Sequence, residues 1–327
     1  MRRLAKMQTP TDIFRIEYPE IEEFTREQLK VFWTADEIKV EKDIQDIKTN
    51  LTTAEQHGVF TTLKLFTLYE MKAGSDYWTD RFMKMFPRHE FAGMSATFGM
   101  FELAVHKPFY NKINELLHAT DDSFYTEYKH NPILSARMKS IDEVIDKTDP
   151  FVSLACFSIV EGAILYSSFA FLKHFQSLGK NKLMNVVRGI NFSVRDENIH
   201  ALAGAWCFNK LKHELNRGGI ADDGWVRLME EIYTFALNVA EHEKEIINMI
   251  FEDGDIEGIT KEDMHHFVQN RIDFCLGNLG LDYLFNAPHS KINDWFYKGI
   301  NNYQFNDFFT GAGREYTRDW NEKGFVW

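Results

Sequence analysis

Phe151 to Leu172 is a run of 22 residues that carries a single charge, Glu161. By length such a run can cross a bilayer as a helix. Its four serines, Gly162 and the lack of aromatic and basic flanks on both sides point instead to a helix at the centre of a bundle. A carboxylate there cannot stay ionised in a dry core without a cation or several donors, because leaving water is costly. Glu161 is therefore read as a cation ligand, against the ordinary alternative of a protonated or arginine-paired structural carboxyl.

The rest of the chain reads the same way. Apolar residues recur at helical spacing, as in Val59, Leu63, Phe66 and Glu70, and strand-like alternation is nearly missing. The pattern predicts helices over 36–48, 53–85, 88–117, 132–146, 151–178, 181–215, 223–252 and 261–278, with breaks such as Lys147-Thr-Asp-Pro150 and Arg217-Gly-Gly219. Several approach the length of a large bundle's helices. No domain boundary stands out, so residues 1–327 are read as one all-α domain, with an arm over 1–24 and a flexible tail over 303–327.

The formal net charge of −12 argues against a nucleic-acid surface, which needs clustered Lys and Arg. Cys156, Cys207 and Cys275 have no metal-ligand spacing and read as reduced thiols of a cytoplasmic protein. The basic start is followed by Gln8-Thr-Pro-Thr-Asp12 and not by an apolar signal core, so neither a membrane nor an export route is expected.

A carboxylate–histidine signature occurs once whole and once damaged. The whole copy is Glu197-Asn-Ile-His200; the damaged one is Leu103-Ala-Val-His106, with Glu102 one residue too early. On a helix, Glu-x-x-His puts a carboxylate and an imidazole on one face, a turn apart. Two such turns, with one Glu from each of two more helices, build the two-metal site of ferritin-like bundles. Glu70 and Glu161 are the candidates for the single carboxylates. Alone, Glu197 and His200 would read as a solvated helix face and Glu70 as less still; together, in this chain order, they read as a site.

The motifs resemble those of the small (beta, radical-generating) subunit of class I ribonucleotide reductase, from about residue 25 to the C-terminus. They are Phe32-Trp33-Thr-Ala-Asp-Glu37-Ile38, Ile159-Val-Glu161-Gly-Ala-Ile-Leu-Tyr166-Ser-Ser-Phe169, Arg195-Asp-Glu197-Asn-Ile-His200, Asp253-Gly-Asp-Ile-Glu-Gly258-Ile259, and Phe308-Phe309 followed by Arg314-Glu-Tyr316. The resemblance implies a ferritin-like bundle that generates and stores a radical, forms a homodimer, and docks by its C-terminal tail on a large (alpha) subunit that reduces ribonucleotides. It implies Glu70, His106, Glu161, Glu197 and His200 as ligands of an iron or manganese pair, and Tyr110 as the radical-bearing tyrosine. Leu165 and Phe169 would shield that radical. Asp196 would hydrogen-bond His106 and Trp33, and Trp33 and Tyr316 would relay the electron hole toward the partner.

The departure lies at Leu103, where the family carries the bridging Glu. At about 100° per residue, Glu102 lies about 40° to one side of His106 and Leu103 about 60° to the other. Pro108 removes a helix hydrogen bond just beyond and invites a kink or bulge. Three outcomes are open: Glu102 replaces the bridge through a bulge; the bridge is missing, leaving a weakened or mononuclear site; or the protein is metal-free with a modified Tyr110. Outside this family, the alternatives are an oxygen-activating oxidase or hydroxylase, or a non-enzymatic metal-binding bundle.

Overall fold

The computed structural model of the chain describes residues 4–117, 121–215 and 223–298. Among these no strand occurs. The longer helices are α1 Pro19–Lys30, α2 Thr53–Met71, α3 His89–Phe101, α4 Lys107–Leu116, α5 Pro132–Ile145, α6 Pro150–Ala163, α7 Tyr166–Lys173, α8 Met184–Glu214, α9 Asp223–Ile250 and α10 Lys261–Asn278. A π-helical segment, Lys72–Phe82, prolongs α2, and a π-helical turn, Glu102–His106, joins α3 to α4.

The helix starts follow from local chemistry. Thr52 accepts from the Glu55 amide while the Glu55 carboxylate accepts from the Thr52 amide, a reciprocal cap. Asn131 and Asp149 cap α5 and α6, each just ahead of a proline whose missing N–H costs nothing in a first turn. Thr260 does the same for α10 through the Asp263 amide.

The apolar run of α6 lies at the centre. Every residue from Phe151 to Ala163 is buried, with α8, α9 and α10 packed against it. The stretch Pro150–Gln176 is apolar and long enough to span a membrane, but its most apolar window is wholly buried within the fold and serves as its core. The axes of α6 and α8 come close at Gly204, where a Cβ would stand 2.4 Å from the Ser158 hydroxyl oxygen.

Several predicted segments differ. Residues 4–24 do not hang free as an arm. Pro19 opens α1, whose Ile21, Phe24 and Gln28 are buried, and Met7 and Tyr18 are tied to Glu214 at the end of α8. The predicted helix over 36–48 is a chain of short turns, because Asp43 and Asp46 face away to cap Leu183, Asn185 and Val186 at the start of α8. The predicted helix over 151–178 breaks at Ile164–Leu165, where Leu165 has φ of 70°. That break has no proline or glycine of its own. It persists because the groups it frees are taken by buried side chains: Arg271 donates to the Gly162 carbonyl, and Glu243 accepts from the Ser167 amide. The predicted tail over 303–327 lies outside the described residues.

Candidate metal centre

The turn that carries the damaged signature is wider than an α-turn. The Lys107 amide donates to the Glu102 carbonyl, an i to i+5 bond. One extra residue in the turn lets positions four apart take up the relation that positions three apart hold in an α-helix. Glu102 and His106 thereby face the same way as Glu197 and His200 on α8. Pro108 suits this turn, because its ring would otherwise press on the Ala104 carbonyl four residues back.

The five expected ligand residues and Glu102 converge in one buried pocket. Glu70 comes from α2, Glu102 and His106 from the wide turn, Glu161 from α6, Glu197 and His200 from α8. They form two overlapping groups, Glu70–Glu102–His106–Glu197 and Glu102–Glu161–Glu197–His200, each with ligand atoms within 4.8 Å of one another. Glu102 and Glu197 belong to both. Around His106, Nδ1 lies 3.1 Å from Glu102 Oε2 and 3.4 Å from both Glu70 Oε2 and Glu197 Oε1. His200 Nδ1 lies 2.7 Å from Glu102 Oε1, 3.7 Å from Glu197 Oε2 and 3.8 Å from Glu161 Oε2.

This pocket demands positive charge. Burial, reinforced by the Glu102 charge, pushes the Glu70 carboxyl well above the usual carboxylate range, and burial with Glu197 does the same to Glu161. Burial acts likewise on Glu102, but the neighbouring His106 and His200 charges outweigh it and hold that carboxyl well below. Burial alone would lower the two imidazoles; the surrounding carboxylates raise both. Both oxygens of Glu70 and Glu197 and both nitrogens of His200 are buried without a hydrogen-bond partner. His200 Nδ1 and Glu102 Oε1 are close, yet they do not align as donor and acceptor. Lone pairs aimed into a shared space, with four carboxylates and two imidazoles around it, fit a pair of divalent cations.

On the far side of His106 the chain Trp33–Asp196–His106 is continuous. Trp33 Nε1 donates to Asp196 Oδ2 at 2.8 Å, and His106 Nε2 lies 3.1 Å from the same oxygen. Arg195 holds the Val31 carbonyl at 2.7 Å, fixing the backbone two residues before Trp33. Tyr110, on α4 one turn past His106, is fully buried, and its hydroxyl has no hydrogen-bond partner. Burial, with the Glu70 charge added, pushes its phenol well above the ordinary range. Its ring stacks on Phe66 at 4.3 Å between centroids, and Phe66 stacks on Phe169. Leu165, at the helix break, is buried as well. Tyr316 lies outside the described residues.

Sequence reasoning missed two donors to Glu161. Trp78 Nε1 donates to Glu161 Oε1 at 2.8 Å, and the Tyr69 hydroxyl reaches Oε2 at 3.4 Å. Tyr69 precedes Glu70 and offered a signal by adjacency. Trp78 offered none, since on a regular helix it lies about 80° away from Glu70, and only the π-helical segment turns it inward.

A profile of the family "Ribonucleotide reductase, small chain" matches residues 10–293. A ribonucleoside-diphosphate reductase small chain of Nicotiana tabacum is 27% identical over 303 residues, covering 86% of this chain and 81% of its own. The dimanganese(II) NrdF protein of Streptococcus sanguinis superposes with a TM-score of 0.76 at 22% identity, covering 89% of this chain and 98% of that one. A ribonucleotide reductase Rnr4 homodimer of Saccharomyces cerevisiae gives 0.70 at 18% identity, with coverage of 87% and 88%. With the helical bundle and the buried ligand groups, the family match leads to one conclusion: this chain belongs to the ribonucleotide reductase small chains, a component of an oxidoreductase.

Proposed function

We propose that this protein generates and stores a tyrosyl radical for a class I ribonucleoside-diphosphate reductase, using a two-metal centre in which Glu102 replaces the missing bridge. The observation that carries this reading is the membership of Glu102 in both ligand groups, reached through the wide turn. Glu70, Glu102, His106 and Glu197 would hold one cation, and Glu102, Glu161, Glu197 and His200 the other. Four carboxylates balance two divalent cations, which argues against the weakened, mononuclear or metal-free alternatives. The metal pair supplies the one-electron oxidising power when bound, with manganese favoured by the streptococcal relative's dimanganese form.

The chain's own residues divide the remaining work. Tyr110 stores the radical, shielded from water by Phe66, Phe169 and Leu165. Trp33, Asp196 and His106 form the buried path by which the hole leaves, and Tyr316 in the tail passes it across the interface. The protein works as a cytoplasmic homodimer, each copy a single helical domain with its C-terminal tail docked on a large subunit that binds the nucleotide. A self-contained oxidase or a storage bundle has no use for the Trp33–Asp196–His106 path.

Elemental analysis with electron paramagnetic resonance after oxygen exposure tests this reading. Two metals per chain and a tyrosyl signal that disappears in Tyr110→Phe are expected. No metal and no radical under any loading condition would overturn it.

A further inference from the structure

Gly74 lies inside the π-helical segment Lys72–Phe82. A glycine within a helix is disfavoured relative to alanine, so its presence asks for a reason. A Cβ at this position would stand 2.7 Å from Leu103 Cγ, 3.1 Å from Leu103 Cδ2 and 3.0 Å from Glu102 Cβ. The hollow over Gly74 is therefore filled by the residue that stands where the family's bridging carboxylate would be. The fit is two-sided. Gly99 on α3, just ahead of the turn, lets α3 approach the same π-helical segment, since a Cβ there would stand 2.4 Å from Thr79 Cγ2 and 3.2 Å from the Gly74 carbonyl oxygen. Thr79, five residues after Gly74, donates its hydroxyl to that carbonyl at 2.9 Å. One π-helical segment thus holds the other.

We propose that Leu103 and Gly74 form a steric lock that fixes the wide turn at 102–106 and so makes Glu102, and not position 103, the carboxylate presented to both metals. The apolar side chain at 103 has a positive task. It anchors the turn against glycine backbone, and the extra residue in the turn turns the neighbouring carboxylate inward. The proposal rests on the reading of Glu102 as a shared ligand. It adds that Gly74 and Leu103 are positioning residues, neither of which touches a metal.

Two readouts separate the lock from the ligand assignment. The first is amide hydrogen exchange over residues 102–107 in the metal-free full-length protein, where the Lys107 amide reports the i to i+5 bond. Helix propensity alone predicts slower exchange in Gly74→Ala. The lock predicts exchange faster by about tenfold or more, as local opening becomes easier. Leu103→Ala, which empties the hollow from the other side, accelerates it as well. In the double variant Gly74→Ala/Leu103→Ala the new methyl occupies the vacated space, and at least half of the acceleration reverses. Gly93→Ala is the control, since a Cβ there meets nothing within 4 Å. Unchanged or slower exchange in Gly74→Ala, or no recovery in the double variant, overturns the lock.

The second readout is anaerobic Mn(II) binding by equilibrium dialysis, alongside circular dichroism to verify folding. Wild type takes two Mn(II) per chain, Gly74→Ala fewer or more weakly, and the double variant recovers. Full binding by a folded Gly74→Ala also overturns the proposal. If exchange responds as stated while Glu102→Ala still binds two Mn(II) with wild-type affinity, the lock stands and the ligand reading of Glu102 falls.

Discussion

Glu102 Oε1 stands 2.7 Å from His200 Nδ1, although the two residues come from different helical elements 98 positions apart in sequence. The other oxygen of the same carboxylate lies 3.1 Å from His106 Nδ1. One carboxylate therefore spans two imidazoles, and it is the carboxylate that the sequence motif leaves out of register. Replacing it by an amide keeps the shape and removes the charge. Glu102→Gln is expected to bind Mn(II) at least about 100-fold more weakly at one of the two positions, beyond the usual effect of a residue outside the ligand set. Equilibrium dialysis with elemental analysis measures this, and two Mn(II) held with wild-type affinity would remove Glu102 from the centre.

Arg271 spans the break between α6 and α7. Its guanidinium donates to the Gly162 carbonyl from Nε at 3.0 Å and Nη2 at 2.9 Å, and also reaches Asn198 Oδ1 and the Tyr297 hydroxyl. It lies over the Tyr166 ring at 4.2 Å. Arg271→Met leaves a buried carbonyl without a donor and is expected to destabilise the metal-free protein by about 1–3 kcal/mol. Arg271→Lys recovers only part, because one ammonium cannot reproduce the fork. Urea unfolding checks both, and changes within about 0.5 kcal/mol of wild type would deny the clamp.

Much of the bundle was legible from spacing and caps. Glu70, Glu161, Glu197 and His200 stand on regular helices, and the spacing of three residues puts Glu197 and His200 on one face of α8. What could not be read was backbone that departs from the α-helix for tertiary reasons. The Ile164–Leu165 break depends on Arg271, more than 100 residues away. The turn at 102–106 depends on Gly74, and Trp78 faces Glu161 only because its own segment is widened. Pro108 was a legible hint of irregularity, though it could not say which carboxylate would profit. The start of α1 was missed although Pro19 at its first turn, followed by Ile21 and Phe24, carried the ordinary signal.

Lys173 gives a prediction that does not involve the metals. Its ammonium is buried on α7, bonded to the Asn191 side-chain oxygen and 5.0 Å above the Phe296 ring. Burial pushes its pKa from 10.5 down to about 7. Below pH 7 both folded and unfolded chains carry the proton, so the folded state bears the full cost of the buried charge, on the order of 5 kcal/mol. As pH rises toward 10.5 the unfolded chain binds more protons at this site, and stability must rise. Lys173→Met is expected to be more stable than wild type at pH 6.5, with the difference shrinking toward pH 10. Urea unfolding across that range checks it, and a difference independent of pH would refute the assignment.

Asp196 carries the last prediction. Its Oδ2 faces Trp33 Nε1 at 2.8 Å and His106 Nε2 at 3.1 Å, and its Oδ1 is approached by Arg195 at 3.4 Å. A charged acceptor makes both bonds about twice as strong as a neutral one would. Asp196→Asn keeps the volume, weakens the bonds and turns an amide toward a group that also donates. The radical at Tyr110 is still expected to form, because every group assigned as a ligand is intact. Nucleotide reduction with the large subunit is expected to fall by about 10- to 100-fold, the range typical for a residue that orients a ligand. Trp33→Phe should behave alike, since it removes the N–H that Asp196 accepts. Radical yield by paramagnetic resonance and turnover, measured on the same preparations, separate the two steps. A turnover loss wholly matched by loss of radical would make Asp196 a residue of the metal site, and unchanged turnover would take the Trp33–Asp196–His106 chain out of the transfer path.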